Sequence, residues 1–549
     1  ANFQPPSSRE LENLKTEIRM KTEKNYERGE LLNLDIGNNV LTGNIDNTVH
    51  ELDALDSLTP QDLVNVVHKY FDINKASVAV IHPDNISNVD TINENYKKAQ
   101  NISFKGLEQT KNLSQKSNKL PIKEADVNQY TLNNNIQVAI MNSKNDIANY
   151  SVAMKPTFPA NVKPATVSLL TTMLSNNLTK YKDFTNNNNI SLNISSSENY
   201  MTFDTEVPAK NLDASMNLVK EILLNPDLSQ DNFEESKKKI VDNLKITQPN
   251  AYDNALNTLF PDSPRGYTNE DVYKNINNVE LADVRGLYQY LMDNSSAVCS
   301  ASLPVEKYPA SKNVFDNQLS TIKPMKPVAY HLFNDFKPVE KTKVIKDSAN
   351  TAQADVVELF KFYNDHSPKS NATNAIVKSI LSKGDETGLF NNLREKEKLA
   401  YSVYSDLDIS KNSSSVLSCN ILTTTDSSDM KSYDNVQKSI DGFNRQIGKM
   451  VNGEFTDDEL KTAKMNLKRS LLEQNDVKQD KVINLSDTML NAQGGIFNAN
   501  RTYELIDTIT KDDVVNAAKN IFSQKPIYSV RASQATLDAN KEFFDKLEG

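Results

Sequence analysis

Apolar and polar positions follow one pattern three times along the chain. Leu58–Pro83, Val279–Pro304 and Ile509–Ser533 each read as a capped amphipathic helix, a short turn and a β-strand. Thr59 and Thr510 are placed to accept from the first free N–H groups of their helices, with Asp62 and Asp513 three residues on. Pro60 stands at a first helical position, where its missing N–H costs nothing. A second helix precedes two of these endings. It starts at Leu11 and at Leu460, 48 and 50 residues before the capping threonines. The later copy opens on the capping box Thr456/Glu459 and sets Leu460, Ala463, Leu467 and Leu471 on one face. Phe233 begins the middle copy.

Strand signals open the second and third repeats. Tyr130–Ser143 alternates around an Asn-rich turn and predicts a hairpin. Asn149–Phe158 and Ala354–Tyr363 predict matching strands, and helices dominate the remainder of each repeat. Antiparallel strands with helices gathered on one face define an α+β layer architecture. The repeats predict a partial unit over 1–105, a linker over 106–126, a whole unit over 127–310, a linker over 311–327 and a last unit over 328–549. The first unit lacks a front half, so it is expected to dock on the others or to need a partner chain.

Composition narrows the chemistry. There are 62 basic and 72 acidic side chains, a net charge of −10, which is a poor match to a phosphate backbone; no nucleic-acid partner is expected. No run of 18 apolar residues predicts a membrane span. The first residues show no basic-then-apolar leader and no Met, and a processed or truncated chain is expected. Two cysteines, Cys299 and Cys419, exclude a disulfide scaffold and a Cys-rich metal site. The five histidines, His50, His68, His82, His331 and His366, form neither H-E-x-x-H nor H-x-x-E-H. Phosphate-binding glycine loops and a serine nucleophile elbow are also absent.

Asp385–Thr425 is the most distinctive segment. Leu389, Leu393 and Leu399 form an apolar helical stripe, and Tyr401, Val403 and Leu407 then alternate with polar residues. Arg394 and Tyr401 therefore fall beside a helix-to-strand junction. On pattern alone Arg394 is solvated and Tyr401 half-buried with a wet hydroxyl.

Leu393–Ser405, LREKEKLAYSVYS, resembles the conserved stretch in the last domain of the pitrilysin/insulinase superfamily of inverted-motif zinc metallopeptidases. Ile222–Ile240 and Tyr267–Leu291 are similar to further family segments, as are the three helix–strand endings. The resemblance implies repeated α+β domains, each an antiparallel sheet covered by helices, in half of a clamshell. It makes 1–105 the end of a second domain, 127–310 an inactive third and 328–549 the fourth. The family's zinc site lies in its first domain, so no cofactor is expected in this chain and zinc is expected in a catalytic portion outside it. The helix near Ala165–Asn177, equivalent to the zinc-binding helix, has neither His nor Glu.

The resemblance also implies that Arg394 and Tyr401 reach the substrate beside the metal, Arg394 fixing the peptide backbone and Tyr401 donating to the oxyanion. The partners implied are a peptide substrate and the catalytic portion or subunit. Alternatively, the chain is a pseudo-peptidase that serves as a scaffold or binds peptides without cutting them. A periplasmic or secreted site and a cytoplasmic one both remain open.

Overall fold

The computed structural model describes residues 4–44, 46–71, 120–123, 126–155, 162–196, 200–247, 249–261, 263–329, 336–409, 414–425, 430–492 and 495–549. The strand expected at the end of the first repeat, with His82, lies outside these residues, as do His331 and most of the 106–126 linker. The chain divides into two bodies, residues 1–19 with 36–119 and residues 20–35 with 120–549.

Four helices open the chain: α1 (Ser8–Glu27), α2 (Gly29–Leu41), α3 (Asn47–Ser57) and α4 (Pro60–Tyr70). In the first body Arg19 pairs with Asp56 at 2.6 Å, and Thr59 and Asp62 close the expected capping box.

The second body holds two sheets of one design. The first is built from β1 (Val127–Thr131), β2 (Gln137–Asn142), β3 (Ile147–Lys155), β4 (Ser191–Ser196), β5 (Met201–Pro208) and β6 (Ser296–Leu303), in the order β1-β2-β6-β3-β5-β4. The second contains β7 (Lys343–Ser348), β8 (Gln353–Tyr363), β9 (Ala400–Asp408), β10 (Ser414–Thr424) and β11 (Ile527–Ala532), in the order β7-β11-β8-β10-β9. The expected hairpin is present as β1–β2. Most pairs are antiparallel, but each sheet has one parallel pair, β2–β6 and β7–β11. The last strand of each repeat returns after a long helical excursion and inserts between the first two long strands, so it must run parallel to one of them.

Helices cover one face of each sheet. On the first lie α5 (Thr166–Lys180), α6 (Leu212–Leu224), α7 (Gln230–Ile246) and, after α8 (Ala251–Leu259), α9 (Leu281–Asn294). Tyr150, Phe203 and Phe315 are fully buried in that core. On the second lie α10 (Pro368–Lys383), α11 (Asn435–Val451), α12 (Asp457–Glu473) and, after α13 (Lys478–Asn491) and α14 (Asn498–Ile506), α15 (Lys511–Phe522). Phe362, Phe443 and Phe455 fill its core.

The opposite faces are covered by exchange. Helix α13 lies in sequence between strands of the second sheet, yet Val482, Leu485, Met489 and Leu490 pack on Ala139, Ala153 and Val298 of the first sheet. Ser300 Oγ donates to the Val482 carbonyl at 2.5 Å and lies 2.7 Å from Ser486 Oγ. Helix α8, from the second repeat, which supplies the first sheet, sets Ala251, Ala255 and Leu259 on Val357, Leu359 and Ile527 of the second sheet. The Ala251 N–H donates to Asp355 at 2.9 Å.

One carboxylic acid lies deep in the second sheet. Glu358 on β8 faces Cys419 on β10 and Tyr528 on β11, and it is fully buried. Burial pushes its pKa from the usual 4.5 up to about 8; the Tyr528 hydroxyl opposes this only in part. The same burial, with the neighbouring carboxyl, pushes the Cys419 thiol upward.

Leu485→Ala leaves a cavity on a sheet that its own repeat does not supply, and is expected to cost about 2–4 kcal/mol. Urea unfolding monitored by probes on both sheets should show one shared transition moving to lower urea; separate transitions would contradict the coupling. For Glu358 the folded pKa lies above the unfolded one, so its stabilising contribution is complete below pH 4.5 and is lost as pH rises towards about 8. Glu358→Gln should remove a decline of up to about 5 kcal/mol across that window, read from unfolding curves at pH 5 and pH 8.

Candidate functional site

The junction between α10 and β9 is built around close approaches. Glu459, near the start of α12, accepts from the Thr456 N–H at 2.6 Å and from the Glu386 N–H at 3.0 Å. Burial raises its pKa, but these N–H donors and that of Thr387 outweigh it and hold the carboxyl below the usual range. A charged carboxylate thus pins the turn that ends α10. Gly388 closes the turn, since a Cβ there would lie 2.1 Å from the Gly384 carbonyl oxygen.

The chain then winds as a π-helical turn, Phe390–Lys396, where the sequence predicts an α-helical stripe. Leu389 and Leu393 are fully buried as expected. Leu393 sits against Gly442 of α11, where a Cβ would come within 2.4 Å of Leu393 Cδ2. Arg445 of α11 holds Glu397 at 2.6 Å. The turn ends with Lys398 in the left-handed region, φ +57°, and the Leu399 N–H donating to the Leu393 carbonyl at 2.9 Å.

Strand β9 is an edge strand, paired with β10. The register skips a residue at Tyr401: Ser402 faces Leu422, while Ala400 faces Thr423. Alternation alone places Tyr401 on the inward side with Val403. The bulge turns it outward instead, and its side chain is 84% exposed rather than half-buried. Arg394 projects from the π turn with its guanidinium 4.9 Å from the Tyr401 ring centre and 4.6 Å from that of Phe390. Arg394 Nε lies 3.4 Å from Glu395.

The structure therefore brings Arg394 and Tyr401 together and adds Phe390 as a second stacking ring. Its position four residues before Arg394 was readable as one helical face. Gly442 and Glu459 come from sequence-distant helices and gave no local signal of their part in the junction. The arrangement offers a cation braced between two rings beside a phenol open to solvent, able to hold a peptide carbonyl and to donate to it.

A zinc ion does not fit the helix predicted to be equivalent to the family's metal-binding one. Helix α5 contains no His, Cys, Asp or Glu and buries Leu169, Leu170, Met173 and Leu174. Among the described residues no group of three His, Cys, Asp or Glu side chains could hold a metal ion. No described helix is long and apolar enough to cross a membrane.

Residues 305–467 match the family profile described as Peptidase M16 inactive domain, and residues 167–267 match that of Insulinase, Peptidase family M16. Comparison with curated proteins gives no match. Among solved structures, a peptidase M16 inactive domain from Pseudomonas fluorescens superposes with a TM-score of 0.61 at 14% identity, over 74% of this chain and 98% of that one. A mutant of the ferredoxin protease FusC, in complex with Arabidopsis ferredoxin, superposes with a TM-score of 0.56 at 14% identity, over 89% of this chain and 56% of that one. The periplasmic protease PqqL from Escherichia coli does so at 0.56 and 14%, over 96% and 61%. At these identities the likeness is one of fold.

The paired mixed sheets, with helices over them, define repeats of a peptidase-like α+β fold, one of them matching the profile of an inactive domain. Over residues 167–267 and 305–467 the chain matches the insulinase, or M16, peptidase family.

Gly442→Ala should force Leu393 out of its seat and destabilise the fold by about 1–3 kcal/mol. Adding Leu393→Val should recover part of the loss; purely additive losses in a double-mutant cycle would show that the contact does not set the packing.

Proposed function

We propose that this chain is the non-catalytic portion of a zinc metalloendopeptidase, with 127–310 and 328–549 as its third and fourth peptidase-like domains. One observation carries the reading. In the segment that matches the inactive-domain profile, a bulge turns Tyr401 out of the sheet beside a braced Arg394. A phenol held open to solvent on a rigid strand costs apolar contact, which a structural role would not require.

The roles come from chemistry. Arg394, its fork steadied by two rings, holds a backbone carbonyl of an extended peptide. As negative charge develops on the scissile carbonyl oxygen, the Tyr401 hydroxyl donates to it. Metal-assisted attack on the peptide belongs to a catalytic portion bearing H-x-x-E-H, a motif this sequence lacks. Peptides or unfolded protein segments are the substrate class; the ferredoxin bound by FusC is consistent with protein-derived substrates in a relative of this fold.

In an assembled enzyme Tyr401→Phe should lower kcat by about 10²–10³-fold with little change in KM, while Arg394→Ala should raise KM as well. Steady-state hydrolysis of a quenched fluorescent peptide distinguishes these. An unchanged kcat in the Tyr401 variant would overturn its role and leave a scaffold that binds peptide or partner.

A further inference from the structure

The edge strand that carries Tyr401 is gripped at its other end by a residue of the preceding repeat. Along β9 the inward side chains lose their cover: Val403 and Ser405 are buried, Leu407 only partly. Asp408 then closes the ladder opposite Val416. Apolar burial alone leaves such an end free to fray.

Arg265 meets β9 there. It sits on a tight turn, Pro264–Gly266, a few residues after α8, in the repeat that supplies the first sheet. Its Nε and Nη2 donate to Asp408 Oδ2 at 3.2 and 2.7 Å, and its Nη1 donates to the Ser414 carbonyl at 2.8 Å. One guanidinium thus holds the last residue of β9 and the first of β10. The Phe260 ring centre lies 4.3 Å from it. The Arg265 side chain is 3% exposed, so losing its carboxylate would leave a buried charge uncompensated. The turn beneath it is stiff. Asn257 Nδ2 donates to the Gly266 carbonyl at 2.9 Å, and a Cβ on Gly266 would meet the Phe260 carbonyl oxygen at 2.1 Å.

Two anchors therefore bracket the bulge. At the start of β9, Thr423 Oγ1 donates to the Leu399 carbonyl at 2.6 Å, and Ala400 faces Thr423. From Ala400 to Asp408 the chain takes eight steps, while β10 takes seven from Thr423 to Val416. With both ends fixed, one residue of β9 has no place in the ladder, and that residue is Tyr401. A loose far end would let this excess run out as a one-residue slip, leaving Tyr401 squarely opposite Leu422. Val403 opposes the slip from the core, and Arg265 opposes it from the end.

We propose that Arg265 is a positioning residue for the Arg394/Tyr401 pair: by clamping β9 to β10 at their joined ends, it keeps the excess residue of β9 at Tyr401. The inference rests on the proposed function only where it reaches turnover.

The full chain has no tryptophan, so Tyr401→Trp places a sole indole at the bulge. In that background Arg265→Ala and Asp408→Asn should each raise the amplitude of the nanosecond anisotropy decay about twofold, and Arg265→Lys should recover part of the rigidity. Ser300→Ala breaks a contact between the repeats at the first sheet and should leave the decay unchanged. A decay indifferent to Arg265→Ala and Asp408→Asn, or one equally sensitive to Ser300→Ala, overturns the inference. If Arg265→Ala does not fold, Asp408→Asn decides alone, on a side chain 39% exposed. In an assembled enzyme with Tyr401 in place, Asp408→Asn should lower kcat about tenfold with little change in KM. It should lower kcat no further once Tyr401→Phe is present; an equal loss in that background overturns action through Tyr401. A response in anisotropy with no change in kcat keeps the positioning and overturns the catalytic reading of Tyr401.

Discussion

Helices α8 and α13 bury their apolar sides on sheets that belong to each other's repeats, and the rest of the second body depends on that exchange. A sheet with helices on one face only leaves its other face wet. Here β2, β3 and β6 carry Ala139, Ala153 and Val298 on that face, too apolar to be left in water. Each repeat solves the problem for the other. Neither sheet is therefore complete alone, although each has a core of its own.

The rigidity reaches the candidate site by a short route. Helix α12 precedes the crossing helix α13 and carries Glu459, whose carboxylate pins the turn before Phe390. Helix α11 provides Gly442 beneath Leu393 and Arg445 against Glu397. The π turn is held from two sides, and Arg394 leaves it at a fixed angle. The β9 bulge fixes the other partner. A π turn, a left-handed lysine and a bulge within a dozen residues are three departures from regular structure, each unfavourable by itself. Their concentration between Phe390 and Tyr401 is what local strain retained for a site looks like, whereas the corresponding edge of the first sheet, β4, pairs with β5 in unbroken register.

Periodicity made the repeats legible, because helices and strands that bury one face must write it in the sequence. The capping boxes at Thr59, Thr456 and Thr510 were legible for the same local reason. The pairing of Arg394 with Tyr401 came only from family resemblance, and its geometry was not legible at all. Alternation assigns Tyr401 to the inward side; a one-residue bulge reverses it, and its cause is a register between β9 and β10 that no local pattern encodes. The parallel β2–β6 and β7–β11 pairs were hidden likewise, since strand order is a property of contacts far apart in sequence. Glu358 would read as a surface residue from its charge, although it shares a strand face with Val356 and Phe360; only the strands and helices around it make it a buried acid.

The exchange also explains the composition of the two crossing helices. Helices α8 and α13 are apolar on a side their own repeat never touches, so their sequences make sense only in the presence of another sheet. A solvent-facing helix gains nothing from such a stripe, since water penalises each exposed aliphatic group or at best leaves it neutral. The pattern has a physical use only where a sheet of the same design is available to receive it, as both crossing helices have.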